Sequence, residues 1–172
     1  VISNANLTYA LAMRSGGAVF INGSNNLIKN SNLTYLNASS MYGGGIFING
    51  ENNNITDSFF EYCSSTRGGA IYINGTNSRV SYSNLTMVGV SPSVDHNHTD
   101  GGAIYISGNN AIVEHDIFYM STADHGGFIF IAGNDAKVSY SNFSNSFAGD
   151  AGGAIYITGS DTIIAYRTQT ES

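Results

Sequence analysis

Hydrophobic and polar positions in this chain recur at about 26 residues, far longer than a helical or simple strand rhythm. Gly-Gly pairs open at Gly16, Gly43, Gly68, Gly101, Gly126 and Gly152, separated by 27, 25, 33, 25 and 26 residues. Such intervals suit one turn of a solenoid. Three residues after the first Gly of each pair stand Val19, Ile46, Ile71, Ile104, Ile129 and Ile155; five after it stand Ile21, Ile48, Ile73, Ile106, Ile131 and Ile157. Both columns are β-branched and two residues apart, which places them on one face of a short strand. Offset seven is always Gly (Gly23, Gly50, Gly75, Gly108, Gly133, Gly159), predicting a turn with positive φ or close backbone approach.

Further apolar columns follow at offset twelve (Ile28, Ile55, Val80, Val113, Val138, Ile164) and offset seventeen (Leu33, Phe60, Leu85, Phe118, Phe143), and Ile2 and Leu7 continue both toward the start. Five residues between two inward columns break the period of two, so a corner must lie between them. Ser31-Asn32, Ser83-Asn84 and Ser141-Asn142 are turn-forming residues suited to it. Small residues at offset twenty-two (Ala38, Ser65, Val90, Ala123, Ala148) can line a third side. Three short strands per turn, each stacked on its counterpart in the next, define an all-β fold. The expectation is a right-handed, single-stranded parallel β-helix of the pectate-lyase-like kind, with six to seven coils over residues 1–172 and a rod roughly 30 Å long at about 4.8 Å per rung. The 33-residue turn predicts a loop insertion at 90–100. Departure from the pattern at Arg167, Thr168 and Gln169, and the absence of amphipathic caps, suggest an uncapped piece of a longer chain whose flanking β-helix coils would cover its ends.

Only 10% of the residues are charged, against about 25% in an average domain, so Asn, Ser and Thr must carry solubility. Hydrophobic residues reach 42%, enough for a real core. Twelve acids against six bases give a net charge of −6, which argues against nucleic acid and anionic membranes as partners. No apolar run approaches the roughly 18 residues of a membrane span, so no membrane contact by this segment is expected. The single cysteine, Cys63, reads as a small buried apolar residue.

The units GGAIYING at Gly68–Gly75 and GGAIYITG at Gly152–Gly159, with SNL and SNF segments between such units, resemble the GGA-type β-helix repeats of surface adhesin-like proteins. These include the adhesin-like proteins of methanogenic archaea and the polymorphic outer-membrane proteins of chlamydiae. The FxxN motif of the chlamydial group is broken here, because Ser146 follows Phe143 and Cys63 follows Phe60 at that spacing. The Asn- and Tyr-rich composition leans toward the archaeal type. The resemblance implies an extracellular or cell-surface location and a non-catalytic role in attachment to glycans, cells or partner proteins.

Three groups of side chains are candidates for chemistry. Offset four is aromatic in every turn (Phe20, Phe47, Tyr72, Tyr105, Phe130, Tyr156) and alternates outward, forming a ladder on which sugar rings or a partner chain can stack, or one that stiffens the sheet. Ala18, Gly45, Ala70, Ala103 and Ala154 are expected to flank it as a flat border. His96, His98 and Asp100 in the long turn, with Asp124, His125 and Asp150 in the turns above, form a cluster of imidazoles and carboxylates suited to Zn²⁺ or Ca²⁺ or to a plain polar loop; no other cofactor is indicated. Paired acids among them also keep open a carbohydrate-active enzyme, a polysaccharide lyase or glycoside hydrolase, although the NTD, DD and GHG segments of polygalacturonase-like enzymes are missing. Finally, nine N-x-S/T sequons occur, at Asn6, Asn22, Asn32, Asn37, Asn54, Asn74, Asn84, Asn97 and Asn142, the pattern of a glycoprotein. Inward-facing Asn would form ladders instead and escape modification.

Overall fold

The computed structural model describes residues 1–39, 41–90 and 99–165. Among them there is no helix, and hence none long and apolar enough to cross a membrane. Short strands pair in parallel, each with its equivalent one turn away, so the chain is a parallel β-helix of about six turns. Face one stacks Val19–Ile21, Ile46–Ile48, Ile71–Ile73, Ile104–Ile106, Ile129–Ile131 and Ile155–Ile157. Face two stacks seven strands, from Ile2–Ser3 through Leu27–Lys29, Asn54–Thr56, Arg79–Ser81, Ile112–Glu114 and Lys137–Ser139 to Ile163–Ala165. Face three begins with Asn6–Thr8, Asn32–Thr34 and Phe59–Glu61 and lengthens into Asn84–Val90, Ile117–His125 and Asn142–Ala151. The register is direct: Val19 lies beside Ile46, Ile46 beside Ile71 and Ile71 beside Ile104.

All four expected inward columns face the interior. Ile46, Ile48, Ile55, Phe60, Ile71, Ile73, Val80 and Leu85 are sealed from solvent, while Ile157 and Ile164 on the last turn are exposed. Ala38, Ser65 and Ala123 line the third side as expected, and an additional column at offset twenty (Leu36, Cys63, Val88, Ser121) is buried beside them. Cys63 is enclosed, and burial pushes its thiol up to about 12. Ala70 and Ala103 do not border the aromatic ladder; they fill a corner of the core. Phe128 takes that place one turn on, packing against Phe118 and Phe143 at 5.5 and 5.7 Å between ring centres. The flanking turns carry Ser121 and Ser146 where earlier turns carry Leu36, Cys63 and Val88, a smaller pair beside the larger ring, as constant core volume requires.

The corners are built differently from the Ser-Asn turns expected. A single residue in the left-handed conformation turns the chain at offsets nine, fourteen and nineteen, with φ from 47° to 61°. Offset nine is filled by Asn and Asp alone (Asn25, Asn52, Asn77, Asn110, Asp135, Asp161), the types that tolerate this region best. Offset fourteen also admits Tyr82, His115 and Tyr140, and offset nineteen admits Tyr9, Tyr35, Tyr62, Met87 and Met120. Each such corner costs about 1–2 kcal/mol, whereas burying one Ile or Phe of the inward columns contributes about 1.5–3 kcal/mol, and every interior turn buries at least four. The first Gly of each pair is the fourth left-handed position: at Gly43 (φ 62°) a Cβ would stand 2.1 Å from the Ile46 carbonyl oxygen. Offset seven needs Gly for close approach, since a Cβ on Gly50 would meet the Gly23 oxygen at 2.1 Å.

Ser31, Ser58, Ser83 and Ser141 point inward at offset fifteen and form a buried polar ladder. Each hydroxyl donates to the carbonyl two residues back, at 2.8–3.1 Å, and accepts a backbone N–H from the turn below, as Ser83 does from Ser58 at 3.2 Å. Asp116 replaces Ser in this ladder. Its Oδ1 accepts the Ser83 N–H at 2.7 Å, while Oδ2 is buried with no partner. Burial outweighs that hydrogen bond and the charge of Arg79, pushing the carboxyl up to about 7. A group raised in the folded state stabilises fully below its unfolded value and loses that contribution as pH climbs through the folded value. Asp116 should therefore cost about 4 kcal/mol of stability between pH 4 and pH 8. Asp116→Ser, which restores the ladder, should remove this slope in urea unfolding across that range; an unchanged slope would place the pH dependence elsewhere.

Candidate functional site

The aromatic residues expected to face outward form one continuous ladder, stacked from Phe20 to Phe130 and tilted by 37° between Phe130 and Tyr156. Ring centres are 4.8 Å apart for Phe20–Phe47, 5.3 Å for Phe47–Tyr72, 4.9 Å for Tyr72–Tyr105, 4.9 Å for Tyr105–Phe130 and 5.2 Å for Phe130–Tyr156. Because rungs are spaced at ring-stacking distance, the interior rings of Phe47, Tyr72 and Tyr105 spend both faces on their neighbours. Tyr72, Tyr105 and Phe130 are only 8%, 9% and 8% exposed, whereas Phe20 on the first rung is 57% exposed. The central rungs thus present edges to the surface.

Two polar columns border the stack. On one side, Asn49 Nδ2 donates to Asn22 Oδ1 at 2.8 Å, Asn74 Nδ2 to Asn49 Oδ1 at 2.6 Å, and Ser107 Oγ to Asn74 Oδ1 at 2.9 Å. On the other run the residues just before each Gly pair, bridged in sequence as Ser15, Tyr42, Arg67, Asp100 and His125. Tyr42 stacks on Tyr72 at 4.5 Å, and the Arg67 guanidinium lies 5.8 Å from the Tyr42 ring and 5.6 Å from the Tyr105 ring, within cation–π range. Neither Tyr42 nor Arg67 stood out in the sequence, where only their shared offset links them to Asp100 and His125.

Arg67 Nε donates to Asp100 Oδ2 at 3.0 Å. Asp100 Oδ1 lies 2.9 Å from His125 Nδ1, and His125 Nε2 lies 3.1 Å from Asp150 Oδ2. The neighbouring of Asp100 and His125 follows from the repeat. Asp150 joins through a register shift, since Ala123 pairs with Ala148 while His125 pairs with Ala151, leaving an extra residue on the upper strand. Carboxylate oxygens at both ring nitrogens are satisfied together only by an imidazolium with two N–H donors. Burial opposes that charge, but the hydrogen bonds and negative charges of Asp100 and Asp150 outweigh it and hold His125 above the ordinary imidazole range.

Asp124 stands apart from this string. Its Oδ2 accepts from the Thr99 N–H at 2.8 Å and from Thr99 Oγ1 at 2.9 Å, fastening the point where the long turn rejoins the sheet. His96 and His98, and the core of the 90–100 insertion, lie outside the described residues. Among the described residues, no three acidic, His or Cys side chains converge in a manner suited to a metal ion. Carboxylate and imidazole follow one another in single file along the axis.

Two further ladders went unforeseen. Tyr9, Tyr35 and Tyr62 stack at 4.9 Å on the offset-nineteen corner, and Tyr82, His115 and Tyr140 stack at 4.8 Å on the offset-fourteen corner. Their rings are exposed apart from each other. The column alignment was the available signal, masked by the mixture of residue types each column holds.

Tyr105→Ala removes two stacking partners and the seat of Arg67, so it should lower unfolding stability by about 2–4 kcal/mol, while Phe20→Ala at the open rung should cost about 1 kcal/mol or less; denaturant melts of both variants check the difference. For His125, raised in the fold, stability is complete below about pH 6.5 and is lost as pH rises through the folded value. His125→Gln should therefore lower the melting temperature on the acid side, where the imidazolium contributes in full, and remove the decline seen as pH rises through the folded value, the two proteins converging at alkaline pH. Compared with known proteins, the chain matches no family model, no curated protein and no solved structure.

Proposed function

We propose that this chain is a non-catalytic segment of an extracellular, surface-exposed adhesin-like protein: a rigid stalk or display module that offers its outer columns to glycans, cells or partner proteins. The observation that carries this reading is the pairing of the acid–base groups along the rod. Arg67, Asp100, His125 and Asp150 neutralise one another in sequence, and Asp124 is committed to Thr99.

Hydrolysis of a glycosidic bond needs two carboxyl groups facing one another across the bond, one protonated and one ionised. Here the imidazole of His125 stands between Asp100 and Asp150, which supports the passive reading over a carbohydrate-active enzyme. The surface is given over to repeated uncharged columns, including the exposed rings of Tyr9, Tyr35 and Tyr62. Rings and amides at a fixed rung spacing suit a repetitive polymer or a second extended chain.

Antibodies against the rod should label intact source cells without permeabilisation, and the purified protein should release no reducing ends from a panel of uronic-acid polymers. Labelling only after permeabilisation would overturn the location, and sugar release would overturn the non-catalytic role.

A further inference from the structure

The nine sequons divide by where the fold puts their acceptor nitrogen. Asn6, Asn32, Asn84 and Asn142 share offset sixteen on face three, one residue before the inward column of buried Leu33 and Leu85 and partly buried Leu7 and Phe143. Strand alternation then sends each Asn, and the hydroxyl residue two further on (Thr8, Thr34, Thr86, Ser144), to the outer side together. All four Asn residues are exposed, and among the described residues their carboxamides make no side-chain hydrogen bond.

We propose that this outer side of face three is an N-glycosylation surface, with acceptors at Asn84, Asn142 and one of the pair Asn6 and Asn32, and that the fold withholds Asn37, Asn54 and Asn74. In the transfer, Nδ2 of Asn attacks the anomeric carbon of an oligosaccharide carried on a lipid pyrophosphate. The C–N bond forms as the sugar C–O bond to phosphate breaks; the lipid pyrophosphate leaves with the electron pair and the amide gives up one proton.

Spacing favours this placement. Asn32, Phe59, Asn84, Ile117 and Asn142 are successive rungs in direct register, so these acceptors stand two rungs apart, about 9.6 Å, which leaves room for one saccharide chain each. Asn6 is paired directly with Asn32, only about 4.8 Å away, so a chain on one excludes a chain on the other. Ile117, an exposed apolar side chain between two acceptors, offers surface that the C–H face of the first sugar can cover.

Two of the withheld sites are hydrogen-bonded and the third is partly enclosed. Asn74 Nδ2 donates to Asn49 Oδ1 at 2.6 Å, and Asn37 Nδ2 donates to Ser64 Oγ at 2.8 Å. Asn54 is half-buried, with its Oδ1 enclosed. Asn22, at the open end of its ladder, has only its oxygen engaged and belongs to neither group. Asn97 lies outside the described residues.

Occurrence of the modification in the cell rests on the extracellular reading above; the choice of sites does not. The test uses the folded protein, purified from a host without glycosylation enzymes, and its tryptic peptides as an unfolded reference. Both are incubated with a single-subunit oligosaccharyltransferase and a lipid-pyrophosphate-linked oligosaccharide, and occupancy is read by peptide mass spectrometry. Peptides should be modified at both groups of sequons, and the folded rod at Asn84, Asn142 and one of Asn6 or Asn32, roughly tenfold or more above Asn37, Asn54 and Asn74, which react only through local opening. Thr86→Ala should abolish occupancy at Asn84 alone with an unchanged melting temperature. Equal occupancy of the two groups in the folded rod, or failure of the exposed group where its peptides react, would overturn the proposal. Surface labelling of intact cells fails or succeeds independently of this outcome.

Discussion

Parallel backbone pairing at a separation of one turn is the constraint from which the other features follow. It holds each residue directly over its equivalent, so any side-chain type at a given offset must be compatible with a copy of itself about 4.8 Å away. Ile over Ile packs, ring over ring stacks, and carboxamide over carboxamide can hydrogen-bond, as along Asn22, Asn49 and Asn74, because Asn carries both a donor and an acceptor. Like charges do not meet this condition. The 10% charged content is thus a consequence of the architecture, and where charges do stack they alternate in sign or are bridged, as in Arg67, Asp100, His125 and Asp150.

The same constraint accounts for the unusual corners. A chain that must turn within one residue needs a left-handed backbone, which Gly, Asn and Asp adopt cheaply. Tyr, His and Met do not, yet they occupy several corners here. Stacking of Tyr9, Tyr35 and Tyr62, and of Tyr82, His115 and Tyr140, offsets part of that strain and places flat rings on the outside of the rod. Local strain and surface character arise from one arrangement.

Chemical individuality sits where a column is interrupted. Asp116 breaks a Ser ladder and becomes a buried carboxyl with one oxygen unpaired; an extra residue before Gly152 swings Asp150 onto His125; Phe59 and Ile117 break a column of exposed Asn and thereby space the sequons. In a uniform solenoid each exception changes the environment of the turn above and the turn below, so its effect reaches further than a substitution on an ordinary surface.

The sequence by itself determined the winding of this chain: the offsets of Ile46, Ile48, Ile55 and Phe60 fix which residues point inward, since burial and strand alternation are local rules repeated every turn. It also determined that Asp100 and His125 would be neighbours. Only the tertiary structure decided that Ala70 and Ala103 fill a core corner, that Tyr72 and Tyr105 spend their faces on each other, that Asp124 turns to Thr99, and that Asn84 faces solvent while Asn74 is held in a ladder. Those outcomes depend on the φ of single corner residues and on one-residue register shifts. Neither leaves a periodic trace along the chain, because a corner reorients every side chain after it without changing the residues themselves.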